Sequence, residues 1–181
     1  MRWVNQFALG ACLGSLLDRV HIRFRIISYD RSNKWWLCGR QPIWVPPLFG
    51  GAAIVLGSLS RLFPIPVKHG VKFLFIVRSN FIWFVAAYLF SAWKDLTSRE
   101  RALWMAFVFV MRAHDQSKSM NLFCLVSALI GCIVESVLIR QKFFRHIETD
   151  FKTVPAWLPF LYMHAAPFIH SFHAISHNTY H

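Results

Sequence analysis

The stretch Ile43-Trp44-Val45-Pro46-Pro47-Leu48-Phe49-Gly50-Gly51-Ala52-Ala53 decides the fold. It opens an apolar run that continues to Leu59 and is long enough to enter a bilayer. Two consecutive prolines suit the first turn of a helix, where the missing N–H would have no partner anyway. Trp44 stands just outside, where an indole prefers the membrane–water boundary. Gly50, Gly51, Ala52, Ala53 and Gly57 let a second helix approach closely. The run therefore reads as a helix that packs against others inside lipid.

Composition agrees. The chain has 181 residues, 56% of them hydrophobic and 17% aromatic, with a mean hydropathy of +0.41. A soluble protein of that size would expose far too much apolar surface. The formal net charge is +12. The basic residues punctuate apolar runs instead of forming a stripe on a polar domain, which argues against nucleic acid and for anionic lipid headgroups. Cys12, Cys38, Cys124 and Cys132 show no CxxC spacing, and three lie in apolar runs, so they read as buried thiols. The first apolar run starts almost at Met1 and lacks a small-residue cleavage site, so no cleavable signal is expected.

A span needs roughly twenty apolar residues. The runs predict six, at about 3–17, 43–63, 71–93, 100–113, 120–139 and 156–175. The fourth is short and is expected to let Arg101 and Arg112 snorkel outward. The links are short apart from Asp18–Pro42 and Arg140–Pro155, with no tract for a soluble domain. The prediction is an all-α polytopic membrane protein, one bundle of six transmembrane helices over residues 1–181, since backbone in lipid must satisfy its own hydrogen bonds.

Three further elements occur in a fixed order. Ser91-Ala92-Trp93-Lys94-Asp95 ends the third span. Asp115-Gln116-Ser117-Lys118-Ser119 links the fourth and fifth. Asp150-Phe151 is followed, after five residues, by Trp157-Leu158-Pro159 at the start of the last. Together with Trp-Val-Pro-Pro and its small-residue continuation, the set resembles the insulin-induced gene (Insig) family across roughly Gln6 to Ile175.

The resemblance implies a regulator of the endoplasmic-reticulum membrane, not an enzyme. Insig proteins bind oxysterols in the bundle. They retain SCAP, the escort of the SREBP transcription factor, and present HMG-CoA reductase to membrane ubiquitin ligases. An aspartate at the position of Asp115 holds the escort in that family, so Asp115, with Ser117 and Lys118, is the expected partner-binding link. The expected ligand is a sterol or other lipid, beside Trp44, Pro46, Pro47, Gly50, Gly51, Trp157 and Pro159, with no cofactor, and oligomers fit the small-residue faces. A bland alternative is that Asp115 caps the fifth helix or is solvated.

This chain departs from the family at several points. It has Met111-Arg112-Ala113-His114 where the family carries Trp-Trp-Thr-Phe, one tryptophan of which walls the sterol pocket. It has Ala165-Ala166 for Gly-Gly, followed by Pro167, which is expected to kink the last span or free a carbonyl. The family places both termini in the cytosol. Yet the first, third and fifth links carry most of the Lys and Arg, which by the positive-inside rule makes them cytosolic.

The rival reading is a metal-dependent lipid hydroxylase or desaturase. His170, His173, His177 and His181 share one helix face at spacings of three and four, and imidazoles so placed can hold zinc or iron. No His-His pair and no carboxylate after Asp150 completes such a site, so no metal is expected. A histidine face on a helix leaving the membrane could instead tune its attachment to anionic lipid. Arg78, Asn80 and Glu135 are costly in lipid and should face the interior or an edge, with an Arg78–Glu135 pair as one solution. No nucleophile–base pair and no nucleotide signature occurs.

Overall fold

A computed structural model of the chain describes residues 2–29, 36–37, 41–66 and 71–176. Six α-helices account for most of it: α1 (Arg2–Arg23), α2 (Val45–Leu59), α3 (Val71–Ser91), α4 (Ser98–Ala113), α5 (Lys118–Arg140) and α6 (Leu158–Ser176). Each overlaps one of the six runs read from the sequence, and α1 continues six residues beyond the expected end at Leu17. Three are long and apolar enough to cross a membrane by length and composition alone: α2 with the 3-10 turn Ser60–Leu62 that extends it, α3, and α5. The protein is a multi-pass helical membrane protein whose lipid-facing side chains, among them Leu74, Phe75, Leu103, Leu129 and Ile133, stand exposed.

The helix starts follow local chemistry. Pro46 and Pro47 occupy the first turn of α2. Thr97 and Glu100 form a reciprocal capping box on α4. Ser117, not Asp115, caps α5 by accepting from the Met120 N–H. The helix α6 continues through Pro167, whose carbonyl accepts hydrogen bonds from Asn80 Nδ2 at 3.4 Å and Ser171 Oγ at 2.8 Å.

The centre of the bundle is α6, which touches every other helix, while α1 packs most extensively along α2. Close approach explains the second contact. A Cβ on Gly10 would meet the Ala53 Cβ at 2.5 Å and the Phe49 carbonyl at 2.8 Å, so only glycine lets the two backbones come together. Across the same contact Gly50 receives the ring of Phe7, whereas Gly51 faces open space.

The two long links contain short strands, which the sequence reading did not anticipate. Strand β1 (Ile27–Tyr29) pairs antiparallel with β4 (Phe144–His146), in register Ile27 with His146 and Tyr29 with Phe144. A smaller ribbon joins β2 (Trp36–Leu37) to β3 (Gln41–Pro42). The helices α1 and α5 enter the first pair in the same way. Each is closed by paired bonds to its last turn, Ile26 N–H to His21 O and Arg25 N–H to Ile22 O in one, Phe143 N–H to Leu138 O and Lys142 N–H to Ile139 O in the other. Arg25 (φ 54°) and Lys142 (φ 61°) take the left-handed conformation that this stop requires, usually a glycine position. The first, third and fifth links thus meet at one end of the bundle, where Arg99 also bonds Asp150 at 3.2 Å.

Candidate functional site

A crevice runs through the bundle against α6. Its apolar half is walled by Leu9, Leu13, Ala53, Leu56, Phe84 and Phe168 around a cavity of about 110 Å³. Its other half lies beneath the β1–β4 pair and is lined by Asp18, His21, Tyr29, Trp44, His146 and Trp157. Phe49, Ala52, Tyr88, Glu135, Leu161 and Tyr162 line both halves, so the two adjoin. An elongated apolar chamber with polar groups at one end is the usual form of a lipid or small-molecule site.

Carboxylates and their donors form the polar end. Glu135 accepts from Tyr162 Oη at 2.7 Å and from His146 Nε2 at 2.8 Å. Asp18 accepts from Tyr29 Oη, at 2.9 and 3.0 Å to its two oxygens, and from Gln41 Nε2 at 2.6 Å. Burial, reinforced by Asp18, pushes the Tyr29 hydroxyl far above the usual phenol range, so it remains a donor. His21 Nε2 meets Ser91 Oγ at 2.8 Å, and the His21 ring lies between Tyr88, stacked at 4.3 Å, and Trp157, edge-on at 5.4 Å.

Three buried polar atoms in this region have no partner among the described residues: His146 Nδ1, Gln41 Oε1 and Trp44 Nε1. With Nε2–H given to Glu135, His146 Nδ1 is an acceptor; Gln41 Oε1 is another, and the Trp44 indole is a donor. Leaving such groups dry costs on the order of 1–3 kcal/mol each. A ligand hydroxyl, which both donates and accepts, suits that set.

The expected ligand residues divide. Trp44 and Trp157 line the crevice, while Pro46, Pro47, Gly50, Gly51 and Pro159 lie off its walls. The expected Arg78–Glu135 pair does not form. Arg78 is exposed, and Glu135 is engaged by His146 and Tyr162 instead. The residues that sequence reading missed, Asp18, Tyr29, Gln41 and His146, sit in the long links or beside them. The β1–β4 pair brings Tyr29 and His146 over the crevice, and Gln41 reaches Asp18 from the β2–β3 ribbon.

Arg101 and Arg112 of α4 do not snorkel. Arg101 is 1% exposed. It donates to Ser91 O at 2.6 Å, pairs with Glu148, and lies over the Trp157 ring at 6.0 Å. Arg112 donates to Asn80 Oδ1 at 3.0 Å and to His164 Nδ1 at 2.9 Å, with its guanidinium 5.4 Å from the centre of the Trp83 ring. Arg101 is held by the Ser91 carbonyl and the Glu148 carboxylate and Arg112 by the neutral Asn80 and His164, so each turns to acceptors within the fold.

Asp115 is solvated. Both it and His114 are 90% exposed in their side chains, 3.4 Å apart. Ser117 is committed to its cap, and Lys118 is exposed. The histidine face is only partly described, since His177 and His181 lie outside the described residues. Of the others, His170 is half-buried and His173 Nδ1 bonds Gln6 Oε1 at 3.0 Å; on the preceding turns of α6, His164 Nε2 bonds Met105 O at 3.2 Å, so the His173 and His164 rings both join helices. Among the described residues no group of three His, Cys, Asp or Glu is placed to hold a metal ion.

No protein-family model and no curated protein matches the sequence. Two crystal structures share the fold. One is the mycobacterial Insig homologue MvINS from Mycobacterium vanbaalenii, 17% identical, with a TM-score of 0.85 over 99% of this chain and 96% of that one. The other is a cross-linked trimer of an MvINS cysteine variant, 18% identical over the same coverage and also at 0.85. The chain has the fold of an Insig homologue, as the ordered motifs implied.

Proposed function

We propose that this protein is an Insig-like regulator that binds a sterol or another hydroxyl-bearing lipid in the crevice against α6. It resides in the endoplasmic-reticulum membrane and is not an enzyme. It holds polytopic partners bearing sterol-sensing domains, SCAP or HMG-CoA reductase, and delivers the latter to a ubiquitin ligase. The observation that carries the ligand reading is the union of an apolar chamber with the orphaned atoms of His146, Gln41 and Trp44 at its polar end. Carboxylates at Asp18 and Glu135 make that end hostile to anionic headgroups and receptive to a neutral hydroxyl. The partner reading rests on Asp115, a carboxylate on an exposed link that makes no fold-stabilising contact beyond His114.

The test is native mass spectrometry of the detergent-purified protein titrated with 25-hydroxycholesterol, reading lipid and metal in one spectrum. We expect a one-to-one sterol adduct without metal, weakened about tenfold in Glu135→Gln, where the His146 and Tyr162 donors turn away from a carboxylate. Stoichiometric iron or zinc without sterol would overturn the reading. For the partner, Asp115→Ala is expected to abolish SCAP capture while leaving the sterol adduct intact.

A further inference from the structure

The polar end of the crevice is anionic inside a chain of net charge +12. Asp18 and Glu135 both line it, and among the described residues no Lys or Arg does. Asp18 is 4% exposed and the Glu135 side chain 17%. The groups that donate to them are the Tyr29 and Tyr162 hydroxyls, the Gln41 amide and the His146 imidazole. Even a protonated His146 would balance only one of the two charges. Arg101 lies over the Trp157 ring, but it is paired with Glu148. Buried carboxylates without a matching cation are costly, and a positive ligand group would remove that cost.

Aromatic rings close round the same space. Trp44 meets Tyr29 with ring centres 5.6 Å apart, and Tyr29 meets Phe144 at 5.8 Å. Phe144 meets His146 at 5.6 Å, and His146 meets Trp157 at 5.7 Å. All five line the cavity. Neighbouring rings are turned by 50° to 89° to one another, so they wrap the space and do not form a flat wall. The negative faces of aromatic rings attract a cation, most strongly where water is excluded. The cavity beneath β1 and β4 is about 110 Å³, room for a head of a few heavy atoms. His146 Nδ1 is buried there with no partner among the described residues, so the head needs an O–H donor beside its charge. The adjoining apolar half suits an alkyl chain.

We propose that the crevice takes a long-chain amino alcohol, with its ammonium held by Asp18 and Glu135 inside the ring of aromatic side chains. This rests on the crevice being a site for a hydroxyl-bearing lipid, and it names the head group. The hydroxyl beside the ammonium donates to His146 Nδ1, and the chain runs past Phe49 and Leu161 into the apolar half. A sterol offers the hydroxyl without the charge and competes for the same space.

The probes are sphinganine and N-acetylsphinganine, which share the long chain and the hydroxyls and differ in charge. They are titrated onto the detergent-purified full chain and read by native mass spectrometry. We expect sphinganine to bind about tenfold more tightly. Elsewhere a chain of net charge +12 repels a cation, so non-specific uptake would favour the amide. In Asp18→Asn and in Glu135→Gln the ratio of the two affinities should fall toward one. A ratio read within one variant is insensitive to a general weakening of the fold. A diazirine next to the head of sphinganine locates the site in the unaltered chain, with cross-links expected at Tyr29, Trp44 and Trp157. Equal binding of the two probes, a ratio that survives both substitutions, or cross-links away from the crevice would overturn the inference. Titration with 25-hydroxycholesterol separates it from the reading on which it rests. A sterol adduct with no preference for sphinganine sinks the amine alone. No adduct with the sterol or with either probe sinks both, and a sphinganine adduct displaced by the sterol supports both.

Discussion

Two buried polar clusters flank α6, and their chemistry is opposite. On one side Asp18 and Glu135 gather donors from Tyr29, Gln41, His146 and Tyr162. On the other Arg112 gathers acceptors from Asn80 and His164. The first is assembled by loops: Tyr29 and His146 belong to the paired strands and Gln41 to the second ribbon. The second is assembled by helices alone, one group each from α3, α4 and α6. Placing a charge in a membrane bundle requires partners of complementary kind. The difference shows two ways of supplying them, folding links inward or pointing three helix faces at one another.

If the acidic cluster is the more tightly coupled, its disruption should cost more. Glu135→Leu leaves the Tyr162 hydroxyl and the His146 Nε2–H buried without an acceptor, and we expect a loss of about 3 kcal/mol. Thermal unfolding in detergent measures it, with Glu135→Gln as the milder control. Asn80→Ala removes one acceptor from Arg112 and one donor to Ser171, and about 2 kcal/mol is expected. A larger loss than for Glu135→Leu would reverse the ranking of the two clusters.

The α1–α2 contact offers a test that touches neither cluster. Gly10→Ala drives a methyl against Ala53 and the Phe49 carbonyl, and about 1–2 kcal/mol of overpacking should appear as a lowered melting temperature. A neutral result would mean that α1 moves freely over the crevice it walls.

The loop end carries a pH signature. Hydrogen bonding from Ser98 and the Ala156 N–H, with Arg99 beside it, holds the Asp150 carboxyl below its ordinary value against a small burial cost. A depressed carboxyl stabilises the fold above its unfolded pKa, and that contribution is lost as the pH falls through the folded value. Amide protection over residues 150–156, relative to intrinsic exchange, should therefore fall below about pH 4, earlier than over α5. Protection there, taken relative to the intrinsic exchange rate, that is unchanged from pH 7 to 3 would contradict the assignment. The smallest effect is expected at Asp115. Exposed and unneeded by the α5 cap, Asp115→Ala should change stability by less than about 0.5 kcal/mol, so any loss of partner capture reports contact and not unfolding.

Much of the bundle was legible in the sequence. Six apolar runs, the two prolines at the head of α2, and Thr97 three residues before Glu100 all carry local signals of helix and helix start. The Gly10–Gly14 spacing on α1 is a close-packing signal too, although the small residues singled out were Gly50, Gly51, Ala52, Ala53 and Gly57; of those glycines Gly50 and Gly57 meet neighbouring helices and Gly51 does not. The helix stops into β1 and β4 were not legible. Arg25 and Lys142 hold positions that glycine normally marks, at a cost of about 1 kcal/mol each that the strand pairing must offset. Without a glycine, nothing local announces the turn.

By itself the sequence determined that this chain lives in a bilayer, how many helices it has and where they begin. Those properties depend on hydropathy and on contacts within a few residues. Only the tertiary structure decided which polar groups meet. Asp18 and Gln41, Glu135 and His146, and Arg112 and Asn80 are brought together by packing across the chain. Arg101 and Arg112 show the reason most plainly. An arginine at the end of an apolar run can turn out to water or in to a partner, and the choice depends on acceptors that only the folded bundle supplies.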